Sequence, residues 1–329
     1  MKILVTGGAG YVGSHCVEKL LEANYEVSVL DNLILGHRQA VPKEAKFYKA
    51  DLADKNEILR VFKSAKFEAV MHFASYSQVG ESMRLPFKYL RDNTVNALNL
   101  LEVMTSFGVK KFILSSTAAL FDKPAKLPIT ESAQVTPGSP YGESKNIIER
   151  YLYWLDKIYN FRYSALRYFN AAGASPSGKL GEDHNPETHL IPLVIAAALE
   201  KNKSMTVFGN NYKTRDGTCI RDYVHVCDLA DAHVLALKYL EKNNISDKFN
   251  LGNENGNSVL EVIETAKKIT GIDFPVIKTE RRIGDPAKLY ASSKKAQEII
   301  GWQPKFGSIE KIIETAWNWH KNNPNGFEK

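Results

Sequence analysis

Short apolar runs alternate with longer segments of helical apolar spacing along the first 170 residues. The short runs predict strands, and the longer segments predict helices. The predicted strands cover residues 2–5, 26–30, 46–50, 68–74, 111–117 and 163–168. Regular alternation of strands and helices is typical of an α/β fold built on a doubly wound parallel sheet.

The pattern between the fourth and fifth strands predicts a loop and then one long helix. Residues 78–83 are expected to form the loop. Pro86 suits a first helical turn, and apolar positions continue the helix through Met104.

The texture of the chain changes after residue 170. Residues 173–187 are rich in Gly, Pro, Ser and acidic residues, which predicts a long loop of the kind that is often functional. A short strand is expected at 205–208, and helices near 191–199, 228–240, 258–270, 292–300 and 308–321. We therefore predict a first domain over residues 1–170 and a smaller α/β domain over 171–329, with some segments of the second returning to the first.

Composition narrows the class of protein. An apolar content of 44% with 24% charged residues is that of a globular protein, and no apolar run approaches membrane-spanning length. The N-terminus runs directly into a strand, which leaves no room for a signal peptide. Three unclustered cysteines favour reduced thiols and a cytoplasmic location. The net charge of +6 is scattered, which favours an anionic small molecule over nucleic acid or a membrane.

A glycine turn separates the first strand from the first helix. Gly7, Gly10 and Gly13 fit Gly-x-x-Gly-x-x-Gly, and Gly8, Gly10 and Gly13 also fit Gly-x-Gly-x-x-Gly. Strand, glycine turn and helix together form the Rossmann-type setting in which a backbone approaches a pyrophosphate at a helix N-terminus. Asp31 closes the second strand, where a carboxylate binds a ribose diol and repels a 2′-phosphate. The pattern predicts NAD rather than NADP.

Tyr141 and Lys145 lie one helical turn apart on the same predicted face. A nearby ammonium lowers the pKa of a phenol, and the pair can then act as a general acid and base on an alcohol or ketone. A chance pair in an ordinary helix is the alternative. Because ligands collect at the carboxyl ends of parallel strands, Asp31, Asp51 and Ala74 are expected to share one crevice with residues 115–117 and the glycine turn.

These motifs resemble the extended short-chain dehydrogenase/reductase superfamily and are similar to its UDP-hexose 4-epimerase branch, over essentially the whole chain. The stretches that carry the resemblance are residues 6–13, 31–33, 72–74, 115–119, 141–145, 167–170, 181–184, 216–218, 221–226 and 281–285. The first five place the superfamily, and the later ones are specific to the epimerase branch.

The resemblance implies an NAD-dependent interconversion of UDP-glucose and UDP-galactose. Tyr141 would be the general base, Lys145 would lower its pKa and hold the nicotinamide ribose, and Thr117 would bond the sugar 4-hydroxyl. Hydride would pass from C4 to NAD⁺, the 4-keto sugar would turn over, and hydride would return to the opposite face. The cofactor would stay bound.

The resemblance also implies sets of binding residues, no metal and a homodimer paired through helices near 86–106 and 141–159. The implied cofactor contacts are Gly7, Gly10, Tyr11, Val12, Gly13, Asp31, Asn32, Asp51, Leu52, Phe73, Ala74, Ser75, Asn93, Ser115, Tyr141, Lys145 and Tyr168. The implied UDP-sugar contacts are Thr117, Tyr141, Asn170, His189, Leu190, Val207, Phe208, Arg221, Arg282, Asp285 and Leu289.

Several positions depart from the epimerase pattern. Phe121-Asp122 stands where Tyr-Gly is usual, Ser75 replaces a small residue, and His189 replaces an Asn. Leu289 falls where bulk is associated with excluding N-acetyl sugars, which leaves activity on UDP-N-acetylhexosamines open.

Specific residues bear on other possible functions of the fold. A 4,6-dehydratase needs an acid after the catalytic hydroxyl, but Ala118-Ala119 cannot transfer protons. A UDP-glucuronate decarboxylase is disfavoured by residues 167–173 and 181–184. A non-catalytic NAD-sensing protein on the same fold is expected to lose the Tyr-Lys pair.

A metal enzyme is conceivable from five polar residues in one loop. They are Glu182, Asp183, His184, Glu187 and His189. Their spacing matches no zinc motif, so satisfied loop side chains are the preferred interpretation.

Overall fold

A seven-stranded parallel sheet forms the centre of the protein in a computed structural model, which describes residues 1–201, 204–282 and 285–327. The strands are β1 (Lys2–Thr6), β2 (Glu26–Asp31), β3 (Lys46–Lys49), β4 (Ala69–His72), β5 (Lys111–Ser115), β6 (Arg162–Tyr168), β7 (Asn170–Ala172), β8 (Met205–Phe208), β9 (Ile220–Arg221), β10 (Tyr223–His225), β11 (Asp247–Leu251), β12 (Asn257–Ser258), β13 (Val276–Thr279) and β14 (Lys288–Leu289). The central sheet has the order β3-β2-β1-β4-β5-β6-β11, and every neighbouring pair is parallel. The predicted Rossmann-type α/β fold is confirmed.

Helices cover both faces of this sheet, and further helices pack beyond it. They are α1 (Tyr11–Glu22), α2 (Lys55–Ser64), α3 (Val79–Ser82), α4 (Thr94–Ser106), α5 (Pro140–Tyr159), α6 (Leu190–Ala198), α7 (Val226–Asn243), α8 (Val259–Thr270), α9 (Lys294–Ile300) and α10 (Ile309–Asn322). Ile3 and Val5 point to a core shared with α1 and α7, while Leu4 points to a second core shared with α2, α4 and α5. Strand β1 is therefore buried on both faces, as a central parallel strand must be.

The chain beyond β6 builds a third core and short sheets of its own. Helices α6, α8 and α10 pack together around Ile195, Ile263 and Ile313. Strand β7 pairs with β10, β8 with β13, and β9 lies between β12 and β14. The division into domains at residue 170 stays a prediction. None of the helices in the described ranges is long and apolar enough to cross a membrane.

Strand β11 was not predicted, although it is the seventh strand of the central sheet. It pairs in parallel with β6, from Asp247 opposite Ser164 to Leu251 opposite Tyr168. Polar residues alternate there with the fully buried Phe249 and Leu251, so no continuous apolar run marks the strand. The shorter strands β7, β9, β10, β12, β13 and β14 were also missed, since two to four residues carry little periodic signal.

Two predictions between β4 and β5 were wrong in detail. The expected loop at 78–83 contains the one-turn helix α3. The expected helix does begin at Pro86, but it is π-helical over Lys88–Asn93 before it continues as α4. The turn places the Asn93 amide against the chain after β4, where it accepts from Tyr76 N at 2.9 Å and donates to Tyr76 O at 3.0 Å. Wide helical turns of this kind are frequent at functional sites.

Helix α5 starts in direct contact with the turn that follows β5. Ser139 caps the helix, since its hydroxyl accepts from Gly142 N at 3.1 Å, and Pro140 occupies the first turn. A Cβ at Gly142 would lie 2.2 Å from the Ala119 carbonyl oxygen. The absence of a side chain at Gly142 therefore sets how closely the two segments approach.

We expect Gly142→Ala to destabilise the protein by about 1–3 kcal/mol, because the added methyl group must displace the backbone of Ala119. The midpoint of urea unfolding measures the effect. Gly80→Ala in helix α3 is the matched control, because a Cβ there meets nothing within 4 Å. An equal loss in both variants would contradict the close-contact explanation.

Candidate active site

The glycine turn between β1 and α1 lies against the end of β4. Gly7 has φ of 74°, and a Cβ there would lie 2.4 Å from Ala74 N. A Cβ at Gly13 would lie 2.2 Å from the Gly7 carbonyl oxygen. Both positions therefore require glycine. The first turn of α1 carries no acidic residue, so its free backbone N–H groups can receive an anion.

The Asp31 carboxylate is fixed beside this turn. It accepts from Ala9 N at 3.0 Å and from Leu33 N at 2.9 Å, and burial raises its pKa. Asn32 donates to Asp51 at 3.0 Å, which joins the ends of β2 and β3. A side-chain-free turn, a helix N-terminus and a neighbouring carboxylate fit the pyrophosphate and ribose of a dinucleotide.

The other implied cofactor residues lie along the same edge of the sheet. Phe73 N and Ala74 N both donate to Thr6 O, at 2.8 and 3.1 Å. Ser75 Oγ donates to the Tyr76 carbonyl at 3.0 Å, and Leu52 O accepts from a helix α4 side chain. Tyr11 donates from its hydroxyl to Gly173 O at 2.5 Å, so it joins the glycine turn to the long loop.

Tyr141, Thr117 and Lys145 are brought together where β5 ends and α5 begins. The Thr117 hydroxyl accepts from Ala119 N at 3.0 Å and forms a hydrogen bond with the Tyr141 phenol. Lys145 is almost fully buried and donates from Nζ to Ser115 O at 2.9 Å. Beside it, Ser115 Oγ and the Tyr168 hydroxyl are 2.5 Å apart. The structure thus brings these five predicted site residues together, and their roles stay predictions.

The electrostatics of the pair differ from the expectation. Burial raises the pKa of Tyr141, and the hydrogen bond with Thr117 only partly offsets it. Burial also lowers the pKa of Lys145 to about 7. Desolvation disfavours both charged forms, and it outweighs the predicted lowering of the phenol pKa by Lys145.

Glu149 was not predicted, and it holds the site together. Its carboxylate accepts from Arg167 Nε at 2.9 Å and Nη2 at 2.5 Å, and from Ser116 Oγ at 2.7 Å. Glu149 and Arg167 are 3% and 2% exposed, so this is a buried ion pair. A charged residue on the apolar face of α5, between Ile148 and Leu152, was the available sequence signal.

Most of the implied substrate residues lie in the part of the chain beyond β6. Arg221 Nη2 lies 3.2 Å from Asp285 Oδ1, and its Nη1 donates to Pro286 O at 2.7 Å. The Arg282 guanidinium lies 3.9 Å from the centre of the exposed Phe208 ring. Leu289 pairs with Arg221 in the strand register of β14 and β9. Ile283 and Gly284 of the same motif lie outside the described residues.

Three further positions have distinct surroundings. Asn170 Nδ2 donates to Asp222 O at 2.8 Å. Val207 is only 1% exposed and belongs to the third core, so only its backbone can reach a ligand. Phe121 is buried with Leu120, and the Arg167 guanidinium lies 5.5 Å from its ring centre. The ring that replaces the usual Tyr is thus a core residue.

His189 and Leu190 begin helix α6 at the end of the long loop. His189 is the N-cap residue, and its Nδ1 lies 2.9 Å from Glu182 Oε1 and 3.0 Å from Glu187 Oε1. Burial opposes protonation, yet the two carboxylates raise the pKa of His189 to about 10 and that of His184 to about 9.

Sheet, glycine turn and the Thr-Tyr-Lys arrangement define an NAD-binding enzyme of the extended short-chain dehydrogenase/reductase class. The model of the NAD dependent epimerase/dehydratase family matches residues 3–252. The chain belongs to this family.

Proteins of known name are similar to the chain over its full length. The UDP-glucose 4-epimerase of Lacticaseibacillus casei is 50% identical over 327 residues, 99% of each chain. A crystal structure of UDP-glucose 4-epimerase that is 50% identical has a TM-score of 0.98 and covers 100% of both chains. The Bifidobacterium longum UDP-glucose 4-epimerase, solved in complex with NAD⁺ and UDP, is 38% identical with a TM-score of 0.94, and covers 99% of this chain and 100% of that one.

We expect Glu149→Gln to destabilise the protein by about 3–5 kcal/mol, because it leaves the Arg167 guanidinium buried without a counter-ion. Denaturant unfolding measures the loss. Glu102→Gln is the control, since Glu102 forms an exposed ion pair with Lys55, and it should cost less than about 1 kcal/mol. A Glu149→Gln variant as stable as Glu102→Gln would show that the buried pair contributes nothing.

Proposed function

We propose that the chain is an NAD-dependent isomerase that interconverts UDP-glucose and UDP-galactose at sugar C4. The observation that carries this proposal is the hydrogen-bonded Tyr141 phenol and Thr117 hydroxyl beside buried Lys145, at the strand edge that also holds the glycine turn. Full-length similarity to UDP-glucose 4-epimerases supports the same reaction.

NAD, when bound, accepts a hydride from the sugar and returns it. Tyr141 takes the proton of the 4-hydroxyl and gives it back, and Thr117 orients that hydroxyl by a hydrogen bond. Lys145 supplies a donor beside Ser115 and Tyr168 and holds the cofactor ribose. Asp31 binds the other ribose through its carboxylate.

The residues after Thr117 restrict this chemistry to isomerisation. Ala118 and Ala119 carry no acid or base, and Ala118 is 1% exposed. Expelling water from C5 and C6 of the sugar requires a proton donor at that place. The chain therefore supports one proton transfer in each direction and no elimination.

Substrate specificity rests on a firm hold on UDP and a loose one on the sugar. Arg221 and Arg282 bind the pyrophosphate, since planar guanidinium groups suit such oxygens. Asp285, Phe208 and the Val207 backbone lie with them on the uridine side. Asn170, His189, Leu190 and Leu289 line the sugar side.

We expect Tyr141→Phe to lower turnover of UDP-galactose by about 10²–10⁴-fold, because the phenolate oxygen that accepts the proton is removed. NAD and UDP binding should persist, because the ring is kept. Chromatographic separation of the C4 epimers measures turnover, and UDP-N-acetylgalactosamine is run in parallel to test the pocket beside Leu289.

Tyr159→Phe is the matched control for this experiment. It removes the same hydroxyl from the same helix, but Tyr159 is 48% exposed and lies at the end of α5. It should retain full turnover. Unchanged turnover in Tyr141→Phe would sink the catalytic assignment.

A homodimer that pairs through α4 and α5 is part of the proposal. The outer faces of these helices expose large apolar side chains that a monomer leaves in water. They are Val95, Leu98, Tyr153, Trp154, Ile158 and Tyr159. A two-fold axis between identical helix pairs would cover this surface on both subunits.

We expect Trp154→Glu with Ile158→Glu to produce a monomer, because two charges would be buried in the interface. Light scattering coupled to size exclusion gives the mass, and the unchanged chain should give twice the monomer value. Ile277→Glu is the control, since Ile277 is equally exposed at 51% but lies on β13. A monomeric parent protein would refute the dimer.

The cytoplasm is the location that we propose for this enzyme. Cys16, Cys219 and Cys227 are all free and buried, which suits a reducing compartment. UDP-sugar is the proposed small-molecule partner, and the proposal includes neither nucleic acid nor a membrane.

A further inference from the structure

Four side chains of the long loop converge on one point outside the catalytic group. They are Glu182, His184, Glu187 and His189, here called the loop quartet. Each offers one ligand atom, and all four atoms lie within 4.8 Å of one another. The spacing of these residues in the sequence favoured polar loop side chains with ordinary hydrogen-bond partners. It could not reveal that all four side chains meet.

The quartet alternates nitrogen and oxygen atoms around its centre. His189 Nδ1 lies 2.9 Å from Glu182 Oε1 and 3.0 Å from Glu187 Oε1. His184 Nδ1 lies 3.2 Å from Glu182 Oε1 and 3.6 Å from Glu187 Oε2. Ligand distances of 2.0–2.1 Å give a tetrahedral edge of roughly 3.4 Å, and these nitrogen–oxygen separations, which involve both oxygens of Glu187, lie within about 0.5 Å of that length.

Hydrogen bonding alone explains this arrangement poorly. An imidazole Nδ1 carries at most one proton, yet each Nδ1 of the quartet faces two carboxylates. The buried His184 Nδ1 has no well-directed hydrogen bond despite its short separation from Glu182. Two imidazole nitrogens and two carboxylates directed at a shared centre are the usual donors around a divalent transition metal.

We propose that the loop quartet binds one divalent transition-metal ion of the Zn²⁺ class in tetrahedral coordination. With all four positions filled by side chains, the site is closed and structural. It takes no part in the proposed proton transfer.

The surroundings of the quartet hold its ligands in place. Glu187 Oε1 accepts from Thr188 N at 2.6 Å and from His189 N at 2.7 Å, so the backbone orients this carboxylate. Glu182 is 4% exposed. Backbone and side-chain partners of this kind position metal ligands. A cavity lined by Trp319 and His320 opens onto Glu182, His184 and Glu187 and offers an entry path.

An ion at the quartet would fasten the long loop between the two halves of the chain. The loop already contacts the first half through Tyr11 and Gly173, and through His37 Nε2 and Asp183 O at 3.1 Å. It ends at His189 and Leu190, which open α6. The ion would thus fix the loop that carries these two proposed substrate contacts, and this consequence, unlike the site itself, rests on the proposed function.

The test is Co²⁺ and Zn²⁺ binding to the full, untagged chain with its cofactor retained and with metal removed by a chelator. Co²⁺ is expected to bind at one equivalent per chain with the visible absorption of a tetrahedral centre, and Zn²⁺ is expected to displace it. His184→Gln and Glu187→Gln should each weaken binding at least tenfold. Two variants are used in case one of them fails to fold, and circular dichroism checks that each variant is folded.

His37→Gln is the matched control, because His37 contacts the same loop at Asp183 but offers no atom to the quartet. It should keep the full equivalent of metal. Zn²⁺ should also raise the melting temperature of the parent and of His37→Gln but not of His184→Gln.

Absence of saturable binding, or binding that both quartet variants retain, overturns the proposal and leaves the quartet an ion-pair network. These readouts do not use catalytic turnover. If the proposed epimerase activity were refuted, the metal-binding result would still stand. If metal binding were refuted, the proposed epimerase activity would still stand.

Discussion

The geometry of the catalytic group depends on the hydrogen bonds and the ion pair that the buried Glu149 carboxylate makes. It joins α5 to Arg167 of β6 and to Ser116 at the end of β5. Ser116 adjoins Thr117, and Tyr141 lies upstream of Glu149 on the same helix. The Glu149–Arg167 ion pair therefore fixes the distance between the Thr117 hydroxyl, which follows β5, and the Tyr141 phenol on α5. A buried pair is costly to break on one side only, which makes the spacing stiff.

Much of the fold and of the cofactor edge could be predicted from the sequence, because the physics there is local or follows from topology. Glycine at positions 7 and 13 indicates that backbone segments approach each other closely there. In the structure, Gly7 lies against the backbone of Ala74, and Gly13 lies against the Gly7 carbonyl oxygen within the turn. Asp31 and Thr117 end strands, and parallel strands bring their ends to one edge. The inference needed no knowledge of which side chains touch.

The features that escaped prediction depend on contacts between distant segments. Glu149 is a charge on an apolar helix face whose partner cannot be identified in sequence, because Arg167 lies opposite it only in the folded chain. Strand β11 alternates polar and apolar residues and becomes recognisable only when β6 is beside it. The loop quartet depends on the path of a segment without regular structure, so its spacing in sequence carries little information. The π-helical turn at Asn93 is set by the backbone of Tyr76.

The ionisation of the Tyr141 and Lys145 pair is the clearest case in which burial outweighs pairing. Desolvation keeps the phenol protonated and lowers the pKa of the ammonium to about 7. A 4-epimerisation consumes no proton overall, since the proton removed from the 4-hydroxyl returns to it. Tyr141 must therefore be ionised when it takes that proton, so the buried phenol acts as a base only when positive charge beside it offsets the cost of desolvation. In the low-dielectric surroundings of Tyr141 such a charge acts strongly, whereas water would screen it beside a surface phenol.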